Sequence, residues 1–308
     1  MGDRTALTFP ARDAGPANPE GIAAMEHILL SAHVDRLIDL ALDEDLGPGD
    51  VTTQALIPPT LQGEAQIRAK QTLVVAGLPV AERVFGKFNA GITFYTEAAE
   101  GLEVSAGRVL ARLTGSVAAI LTGERVALNF LQHLSGIATF TRNLTGRVAG
   151  FPALLADTRK TTPGWRVLEK YAVRLGGGCN HRFGLFDGVL IKNNHLTAVG
   201  SLAAAVRQAR ERAHHLLKIE VEVTDLASLA EALEAGADLI LLDNMDDATL
   251  QQAVELTQGR AWLEASGSMT PDRLPQAAAT GVNFISMGAL THSAPAADIH
   301  LRLLKTWS

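Results

Sequence analysis

A dense group of basic side chains occupies residues 157–195 of a chain whose formal net charge is -6. A basic cluster in an acidic protein predicts a small, strongly anionic ligand, because attraction to nucleic acid usually comes with a basic domain. Four of these cations lie beside predicted strand ends and glycine turns, where side chains and backbone amides can converge on one point. These four are Arg159, Lys160, Arg182 and Lys192.

Other basic residues have simpler interpretations. Arg166, Lys170 and Arg174 are spaced by four, which is typical of a solvated helix face. Arg125 lies at the predicted start of a strong helix that opens at Gly123, where the helix dipole disfavours a cation. Two interpretations of Arg125 stay open: a plain surface arginine, or a contact with a ligand or partner.

Polar side chains also gather at predicted strand ends. Glu222, Asp243 and Ser266 end three strands, whereas Arg159 and Lys192 follow two others. In a (β/α) barrel these five positions face the same mouth, where active sites are built. The sequence therefore predicts a site at the carboxyl ends of the strands.

The acidic residues allow two interpretations. Glu220 and Glu222 share one face of their strand, because strand side chains alternate. They could form internal salt bridges to Arg or Lys, since buried carboxylates need a partner. Alternatively, Glu222 and Asp243 could hold sugar hydroxyls, or a Mg²⁺ that carries phosphate oxygens. Residues 266–268 and 286–289 follow the last two strands, where barrels commonly bind phosphate through loop amides.

The composition is that of an ordinary globular protein, with 47% hydrophobic and 19% charged residues among 308. The single cysteine, Cys179, excludes an intramolecular disulfide and suits a reducing compartment. No run of 18 apolar residues occurs, and the N-terminus lacks the pattern of a signal peptide. We therefore expect a cytoplasmic protein that binds neither membranes nor nucleic acid.

Patterning divides the chain into three parts. Residues 1–22 are rich in Pro, Gly and Ala and predict a flexible tail. A helix over 26–43, short alternating segments and a helix over 79–89 then predict a small antiparallel sheet. From residue 154 onward, six apolar strands alternate with helical segments, which favours a (β/α) barrel. Because a closed barrel needs eight strands, we expect an incomplete barrel or missed strands near Arg182, with a doubly wound open sheet as the alternative.

Longer motifs sharpen this interpretation. The chain contains, in this order, EDLGPGDVTT, GERVALNFLQHLSGIAT, TRKTTPG, LEKYAV, GGGxxHRxxLxDxxLIKxNH, EVEV, LLDNM, EASGS and ISMGALTHS. Over residues 25–300 it thereby resembles the quinolinate phosphoribosyltransferase family, also called carboxylating nicotinate-nucleotide pyrophosphorylases. The resemblance implies an α/β protein with an N-terminal α/β sandwich over 23–135 and an incomplete TIM-type (β/α) barrel over 136–289. Residues 290–308 could pack back on the sandwich.

The family transfers phosphoribose from phosphoribosyl pyrophosphate to the ring nitrogen of quinolinate, then releases carbon dioxide to give nicotinate mononucleotide for NAD biosynthesis. The resemblance therefore implies a Mg²⁺-dependent pentosyltransferase, and a homodimer whose partner closes each active site. Two alternatives stay open. One is a related type II phosphoribosyltransferase acting on another anionic base, such as the paralogue associated with molybdenum transport, and the other is a non-catalytic phosphosugar-binding module.

The resemblance also implies a role for each matched residue. The quinolinate carboxylates would be bound by Arg159, His181, Arg182 and Lys192, with Arg125 arriving from the neighbouring subunit. The expected catalytic set, which would contact the pyrophosphate, the ribose hydroxyls or Mg²⁺, is Lys160, Glu222 and Asp243. The 5′-phosphate would be held by Ser266, Gly267, Ser268, Gly288 and Ala289, and the substrate-binding set is completed by Thr158 and Met287.

Overall fold

The computed structural model describes residues 29, 31–88 and 91–308, so the predicted tail over 1–22 lies outside the described residues. The described residues form two compact units. The antiparallel-sheet unit contains the described residues up to Asn143, together with Thr161–Gly177 and Leu290–Ser308. The parallel-sheet unit contains Leu144–Lys160 and Gly178–Ala289. The predicted domain boundary at residue 135 stays a prediction.

The described residues form eleven helices and twelve strands. The helices are α1 (Ala32–Leu46), α2 (Val51–Leu56), α3 (Leu78–Gly86), α4 (Val117–Arg147), α5 (Arg166–Leu175), α6 (Asn193–Val199), α7 (Leu202–Arg212), α8 (Leu226–Glu234), α9 (Asp247–Thr257), α10 (Leu274–Ala279) and α11 (Ala289–His292). The strands are β1 (Gln62–Ala69), β2 (Leu73–Val74), β3 (Thr93–Thr96), β4 (Glu103–Val104), β5 (Val109–Ser116), β6 (Leu154–Ala156), β7 (Val189–Ile191), β8 (Ile219–Val223), β9 (Leu239–Asp243), β10 (Trp262–Ser266), β11 (Phe284–Ser286) and β12 (Ile299–Trp307).

The antiparallel-sheet unit is built on a four-stranded sheet with the order β12-β1-β5-β3. β1 lies between β12 and β5, and both pairings are antiparallel. Ala65 and Ile67 of β1 are fully buried, as expected for the core-facing side of such a sheet. β12 joins residues 299–307 to the sheet that begins with β1, a pairing that the sequence leaves open.

The long helix α4 packs closely in the antiparallel-sheet unit. A Cβ on Gly136 would overlap the backbone of Pro295, so only glycine allows this approach. The helix begins at Val117, directly after β5, and the predicted start at Gly123 is therefore wrong. Arg125 consequently lies well inside the helix, where the argument from the dipole of a first turn does not apply.

A short helix that sequence reasoning misses follows α1, and a further expectation is corrected in the antiparallel-sheet unit. α1 ends at Leu46, and the Asp50 side chain accepts the Thr53 N–H at 2.9 Å and caps α2. Lys170 of α5 is only 4% exposed, and Arg166 and Arg174 are half-buried. A solvated helix face is therefore the wrong interpretation of these three cations.

The parallel-sheet unit has a six-stranded parallel sheet with the order β6-β11-β10-β9-β8-β7. From β7 to β11, each strand lies beside the next one in the chain. β6, the first strand of this unit, pairs with the other side of β11. On the other side of β6, Cys179 forms a parallel bridge with Ala156, close to where the sequence predicts missed strands. This order is that of an incomplete barrel, so the doubly wound alternative is wrong.

The two faces of the parallel sheet differ in chemistry. Val221, Ile240 and Ala265 lie on one face and are fully buried. The other face carries Glu220 and Glu264, because side chains alternate along a strand. This face therefore combines buried carboxylates with apolar residues such as Leu239 and Leu241. We call the carboxyl ends of the strands the carboxyl edge. None of the described helices is long and apolar enough to cross a membrane.

Candidate active site

Lys192 and Glu222 meet at the carboxyl edge. Lys192 directly follows β7, and Glu222 lies near the end of the neighbouring strand β8. The Lys192 Nζ forms an ion pair with Glu222 Oε2, which confirms the internal salt bridge for Glu222. The Lys192 side chain is nevertheless 47% exposed, so its ammonium can also face an incoming anion.

Asp243 and Ser266 end the adjacent strands β9 and β10 and are partners in the register. The Ser286 hydroxyl, at the end of β11, donates to Ser266 Oγ at 3.0 Å. Asp243 Oδ2 accepts a hydrogen bond from Asn244 Nδ2 at 3.0 Å. Three neighbouring strands therefore bring polar oxygens together along one stretch of the carboxyl edge.

The turn after β10 requires a glycine. Gly267 has φ +85° and Ser268 has φ 45°, both in the left-handed region. A Cβ on Gly267 would overlap the side chains of Asp243 and Asn244, so the backbone passes close to the end of β9. The turn thereby brings its backbone within reach of a ligand at the carboxyl edge.

The turn after β11 is more enclosed. Met287 is 3% exposed, and its N–H donates to the Ala156 carbonyl at 3.0 Å, so its amide does not face a ligand. Gly288 and Ala289 follow and are half-buried, and Ala289 begins the four-residue helix α11. The phosphate-binding role of Gly288 and Ala289 stays a prediction.

Thr158, Arg159 and Lys160 follow β6 in the parallel-sheet unit. Arg159 and Lys160 are exposed, whereas Thr158 is half-buried. The Lys160 N–H donates to Thr158 Oγ1 at 3.0 Å, which fixes the local turn. The two basic side chains are therefore presented from a turn that their own neighbour stabilises.

Arg182 is half-buried. Its Nη1 donates to the Gly188 carbonyl at 3.0 Å, and its buried Nε has no hydrogen-bond acceptor among the described residues. Burial and, next, the charge of Arg159 lower the pKa of Arg182. The guanidinium still carries its charge at neutral pH, so a bound anion would offset the cost of burial and the repulsion from Arg159.

His181 points into an inner cavity of about 230 Å³ in the parallel-sheet unit. Its Nε2 lies 2.9 Å from Glu220 Oε2 and 3.8 Å from Glu264 Oε2. Its Nδ1 accepts the Arg182 N–H at 2.8 Å. Both ring nitrogens therefore contact the protein, and a direct contact of His181 with substrate stays a prediction.

Asp157 fixes the backbone position of His181. Its fully buried carboxylate accepts hydrogen bonds from Asn180 Nδ2 at 2.6 Å and from the His181 N–H at 2.9 Å. Because Cys179 is also bridged to β6, the backbone around His181 is fixed at two points.

The pKa of Glu264 lies well above the ordinary value for a glutamate. Burial and, next, the charge of Glu220 raise the pKa of Glu264 to about 7, and Asp157 acts in the same direction. His181 and Ser286 oppose this change. A carboxyl that titrates near neutrality inside a cavity is typical of functional sites.

Comparison with known protein families identifies the family to which the chain belongs. Residues 137–302 match the family model "Quinolinate phosphoribosyl transferase, C-terminal domain", and residues 50–135 match "Quinolinate phosphoribosyl transferase, N-terminal domain". The chain belongs to the quinolinate phosphoribosyltransferase family. Of the predicted site residues, Arg125 falls in the N-terminal match of this family, and all the others fall in the C-terminal match.

Individual members of the family are similar over most of their length. A probable nicotinate-nucleotide pyrophosphorylase (carboxylating) from Bacillus subtilis is 43% identical over 90% of this chain and 94% of its own. The solved nicotinate-nucleotide pyrophosphorylase from Francisella tularensis has a TM-score of 0.84 at 38% identity, covering 88% of this chain and 96% of that one. NadC from Streptococcus pyogenes has a TM-score of 0.84 at 42% identity, with 88% and 97% coverage.

The donor set expected for Mg²⁺ in this family is present at the carboxyl edge. Glu222 and Asp243 offer carboxylate oxygens, which are the ligands that Mg²⁺ prefers. Glu222 Oε2 is engaged by Lys192 and Asp243 Oδ2 by Asn244, so each carboxylate retains a second oxygen. This set fits an ion held partly through the phosphate oxygens of a ligand.

Sequence reasoning does not identify three residues that line or support the site. Asp157 and Asn180 act through hydrogen bonds between distant segments, which no spacing reveals. Glu264 does carry a signal, because it precedes Ser266 by two residues and must share its face of β10. Arg125, which sequence reasoning does single out, is exposed on α4 in the antiparallel-sheet unit.

Proposed function

We propose that this protein transfers phosphoribose from phosphoribosyl pyrophosphate to the ring nitrogen of quinolinate, with loss of carbon dioxide and formation of nicotinate mononucleotide and pyrophosphate. The observation that carries the proposal is that basic side chains lie close to one another and to an acidic side chain in the parallel-sheet unit. Arg182 and Arg159 lie close enough for their charges to interact, and Lys192 contacts Glu222. The names of the family members that cover nearly the whole chain support the same reaction.

The cations suit a substrate with two adjacent carboxylates. Arginine can hold a carboxylate through two parallel hydrogen bonds, and lysine adds a point charge. Arg159, Arg182 and Lys192 would each bind a carboxylate oxygen, and quinolinate would in turn remove the repulsion between the two guanidinium groups. A substrate with one carboxylate would leave part of this positive charge without a partner.

The acidic residues suit the sugar. Breaking the bond between C1 of ribose and pyrophosphate builds positive charge on the sugar and negative charge on the leaving group. Glu222 and Asp243 would hold the ribose hydroxyls and stabilise the developing positive charge. When bound, Mg²⁺ supplies charge neutralisation at the pyrophosphate. Lys160, exposed after β6, would bind the same leaving group.

The 5′-phosphate would be held at the turn after β10. The left-handed backbone at Gly267 and Ser268 and the Ser266 hydroxyl provide hydrogen-bonding groups there. Gly288 and Ala289, after β11, would complete this cradle. Once the ring nitrogen carries the ribose, the ring can accept the electron pair that the departing carboxylate leaves, so the protein mainly orients the intermediate.

The direct test is turnover. Purified protein is mixed with phosphoribosyl pyrophosphate, Mg²⁺ and either quinolinate or nicotinate, and nicotinate mononucleotide and carbon dioxide are measured. We expect equimolar products from quinolinate and none from nicotinate. Turnover of nicotinate would overturn the substrate assignment, and a folded protein silent with both would point to another base or to a binding module.

Lys192→Ala tests the site itself. Loss of this cation removes a carboxylate contact and unpairs Glu222, so we expect kcat/KM for quinolinate to fall by about 100-fold or more. Arg207→Ala, which removes an exposed arginine of α7 in the same unit, is the matched control and should keep kcat/KM within about twofold.

We also propose that the active form is a homodimer in which Arg125 binds the substrate held by the partner. Its exposure on α4 supports this role. Arg125→Ala and Lys192→Ala proteins should each be inactive alone. After mixing and reassembly, half of the dimers combine the two variants and regain one intact site, so about a quarter of the wild-type activity should return. No recovery from dimers shown to have exchanged subunits would contradict the shared site.

A further inference from the structure

Two buried glutamates line the inner cavity, and each has one oxygen that no donor of the described residues reaches. Glu220 precedes Glu222 by two residues, and Glu264 precedes Ser266 by two, so both point from the polar face of the sheet. Glu220 is 6% exposed and Glu264 is 3% exposed. Glu220 Oε1 and Glu264 Oε1 are buried and lack a hydrogen-bond partner among the described residues.

The histidine between them can satisfy only one carboxylate. Because His181 Nδ1 accepts the Arg182 N–H, only Nε2 of the ring can donate to a carboxylate. Nε2 donates to Glu220 Oε2 at 2.9 Å, whereas Glu264 Oε2 is at 3.8 Å, beyond hydrogen-bond distance. The Ser286 hydroxyl, 3.0 Å from Ser266 Oγ, opposes the rise in the pKa of Glu264, yet Glu264 Oε1 still lacks a partner among the described residues.

Two ionised carboxylates would be costly in this setting. Like charges in a low-dielectric cavity repel, and each buried oxygen without a donor carries its full desolvation cost. One proton between the two glutamates would supply the missing donor and remove one charge. The titratable or charged groups that face the pair from the surrounding elements are Asp157, Cys179, His181, Arg182, Asp187 and Lys218.

We propose that Glu264 holds this proton and donates it to Glu220, and that the protonated pair is the positioning unit that keeps His181 and the adjacent Arg182 in place for the dicarboxylate substrate. The inference rests on the proposed function and extends it to the pH dependence of substrate affinity. The pair lines the same cavity as His181 and Arg182. Loss of the proton adds a negative charge to the cavity that Arg182 also lines, and the binding of an anionic substrate then weakens.

The pH dependence has a definite sign. Glu264 has a pKa of about 7, so it is protonated below neutrality and charged above it. The KM for quinolinate should therefore be low below pH 7 and rise above it, by up to about tenfold per pH unit if only the protonated form binds. Because Glu264 is not placed at the reacting atoms, kcat should change much less than KM.

Glu264→Gln is the decisive variant, because the amide can donate to Glu220 as the carboxylic acid does but cannot ionise. We expect its KM for quinolinate to stay within about twofold across the range in which the wild-type KM rises. Glu220→Gln should instead move the rise to lower pH, because removal of the repelling charge lowers the pKa of Glu264. A merely structural role of Glu264 would change stability and leave the pH profile as it was.

Glu169→Gln is the matched control. Glu169 is also a fully buried glutamate beside a histidine, but it lies in the antiparallel-sheet unit. Its replacement should leave the wild-type rise of KM with pH in place. A rise that persists unchanged in Glu264→Gln would overturn the proposal and point to another group in the cavity, such as His181.

The proton itself can be observed without any turnover. Infrared difference spectroscopy of the full-length protein, titrated through neutrality, should show the carbonyl band of a protonated carboxylic acid disappearing, and Glu264→Gln should lack this band. Absence of the band from the wild-type protein would overturn the proposal, as would a stoichiometric divalent cation whose removal by a chelator moves the KM profile. Failure of quinolinate turnover at every pH, with the band present, would instead refute the proposed function.

Discussion

Each of the two units buries a glutamate whose carboxylate lies 2.9 Å from a histidine ring nitrogen. In the antiparallel-sheet unit the pair is Glu169 and His133, and in the parallel-sheet unit it is Glu220 and His181. Glu169 also accepts a hydrogen bond from the Thr162 N–H at 3.1 Å. The parallel-sheet unit adds a second carboxylate, Glu264, in place of a second donor.

The difference in donors decides the charge. Burial alone would raise the pKa of Glu169, but the hydrogen bonds from His133 and Thr162 outweigh burial and lower that pKa. Burial and the charge of Glu220 raise the pKa of Glu264 to about 7. The two glutamates thus differ because donors outweigh burial at Glu169, whereas burial and a second carboxylate prevail at Glu264. The first is ionised at neutral pH, and the second titrates near neutrality.

The largest expected effect on activity comes from the contrast between Arg182 in the parallel-sheet unit and Arg142 in the antiparallel-sheet unit. Arg182→Ala in the parallel-sheet unit removes a substrate cation, and we expect kcat/KM for quinolinate to fall by about 1,000-fold, or about 4 kcal/mol of transition-state stabilisation. Arg142 is the counterpart in the antiparallel-sheet unit, where it donates to the carbonyls of Leu175 and Gly176.

Arg142→Ala should lower the free energy of unfolding by about 1–3 kcal/mol, since those carbonyls lose their donors, and should change kcat/KM little per folded molecule. Steady-state kinetics and urea unfolding of both variants check the contrast. Equal losses of stability with unchanged kinetics would contradict a functional role for Arg182.

The second effect concerns stability and pH in the parallel-sheet unit. The folded-state pKa of Glu264 is raised from 4.5 to about 7, so its contribution to stability is fully present below pH 4.5 and is lost as the pH rises to about 7. Relative to the wild type, Glu264→Gln should gain up to about 3 kcal/mol in unfolding free energy between pH 4.5 and pH 8. Urea unfolding at several pH values measures the difference, and a constant difference would show that Glu264 does not titrate in this range.

The smallest effect has the opposite sign and belongs to the antiparallel-sheet unit. Because the folded-state pKa of Glu169 is lowered, its contribution to stability is present above pH 4.5 and is lost as the pH falls. Glu169→Gln should therefore destabilise the protein at pH 7 by about 2 kcal/mol, and by less in acid. Thermal unfolding at pH 7 and pH 4 is the measurement. A loss that does not depend on pH would indicate altered packing instead.

Sequence reasoning predicts the parallel-sheet unit well for a physical reason. Its buried strands are short apolar runs at regular spacing, and a polar residue at the end of each strand needs no further information to be placed at one edge. The confirmed order of β7 to β11 and the contact of Lys192 with Glu222 both follow from this regularity.

The residues that sequence reasoning misses depend on contacts between distant segments. Asp157 binds the backbone of His181 across 24 positions. The resemblance implies that residues 290–308 pack back on the sandwich, but it does not predict that β12 pairs with β1. Lys170 has the spacing of a surface residue and is buried by tertiary packing. The start of α4 is predicted at the wrong residue because the helix follows β5 without an intervening turn that a pattern could reveal.

The pairing of β12 with β1 has a consequence for how the protein is made. A ribosome synthesises β1 (residues 62–69) more than two hundred residues before it reaches β12 (residues 299–307). Until then β1 presents one unpaired strand edge, and such edges invite association with other chains. The first sheet of the protein is therefore completed only after its last strand has been synthesised.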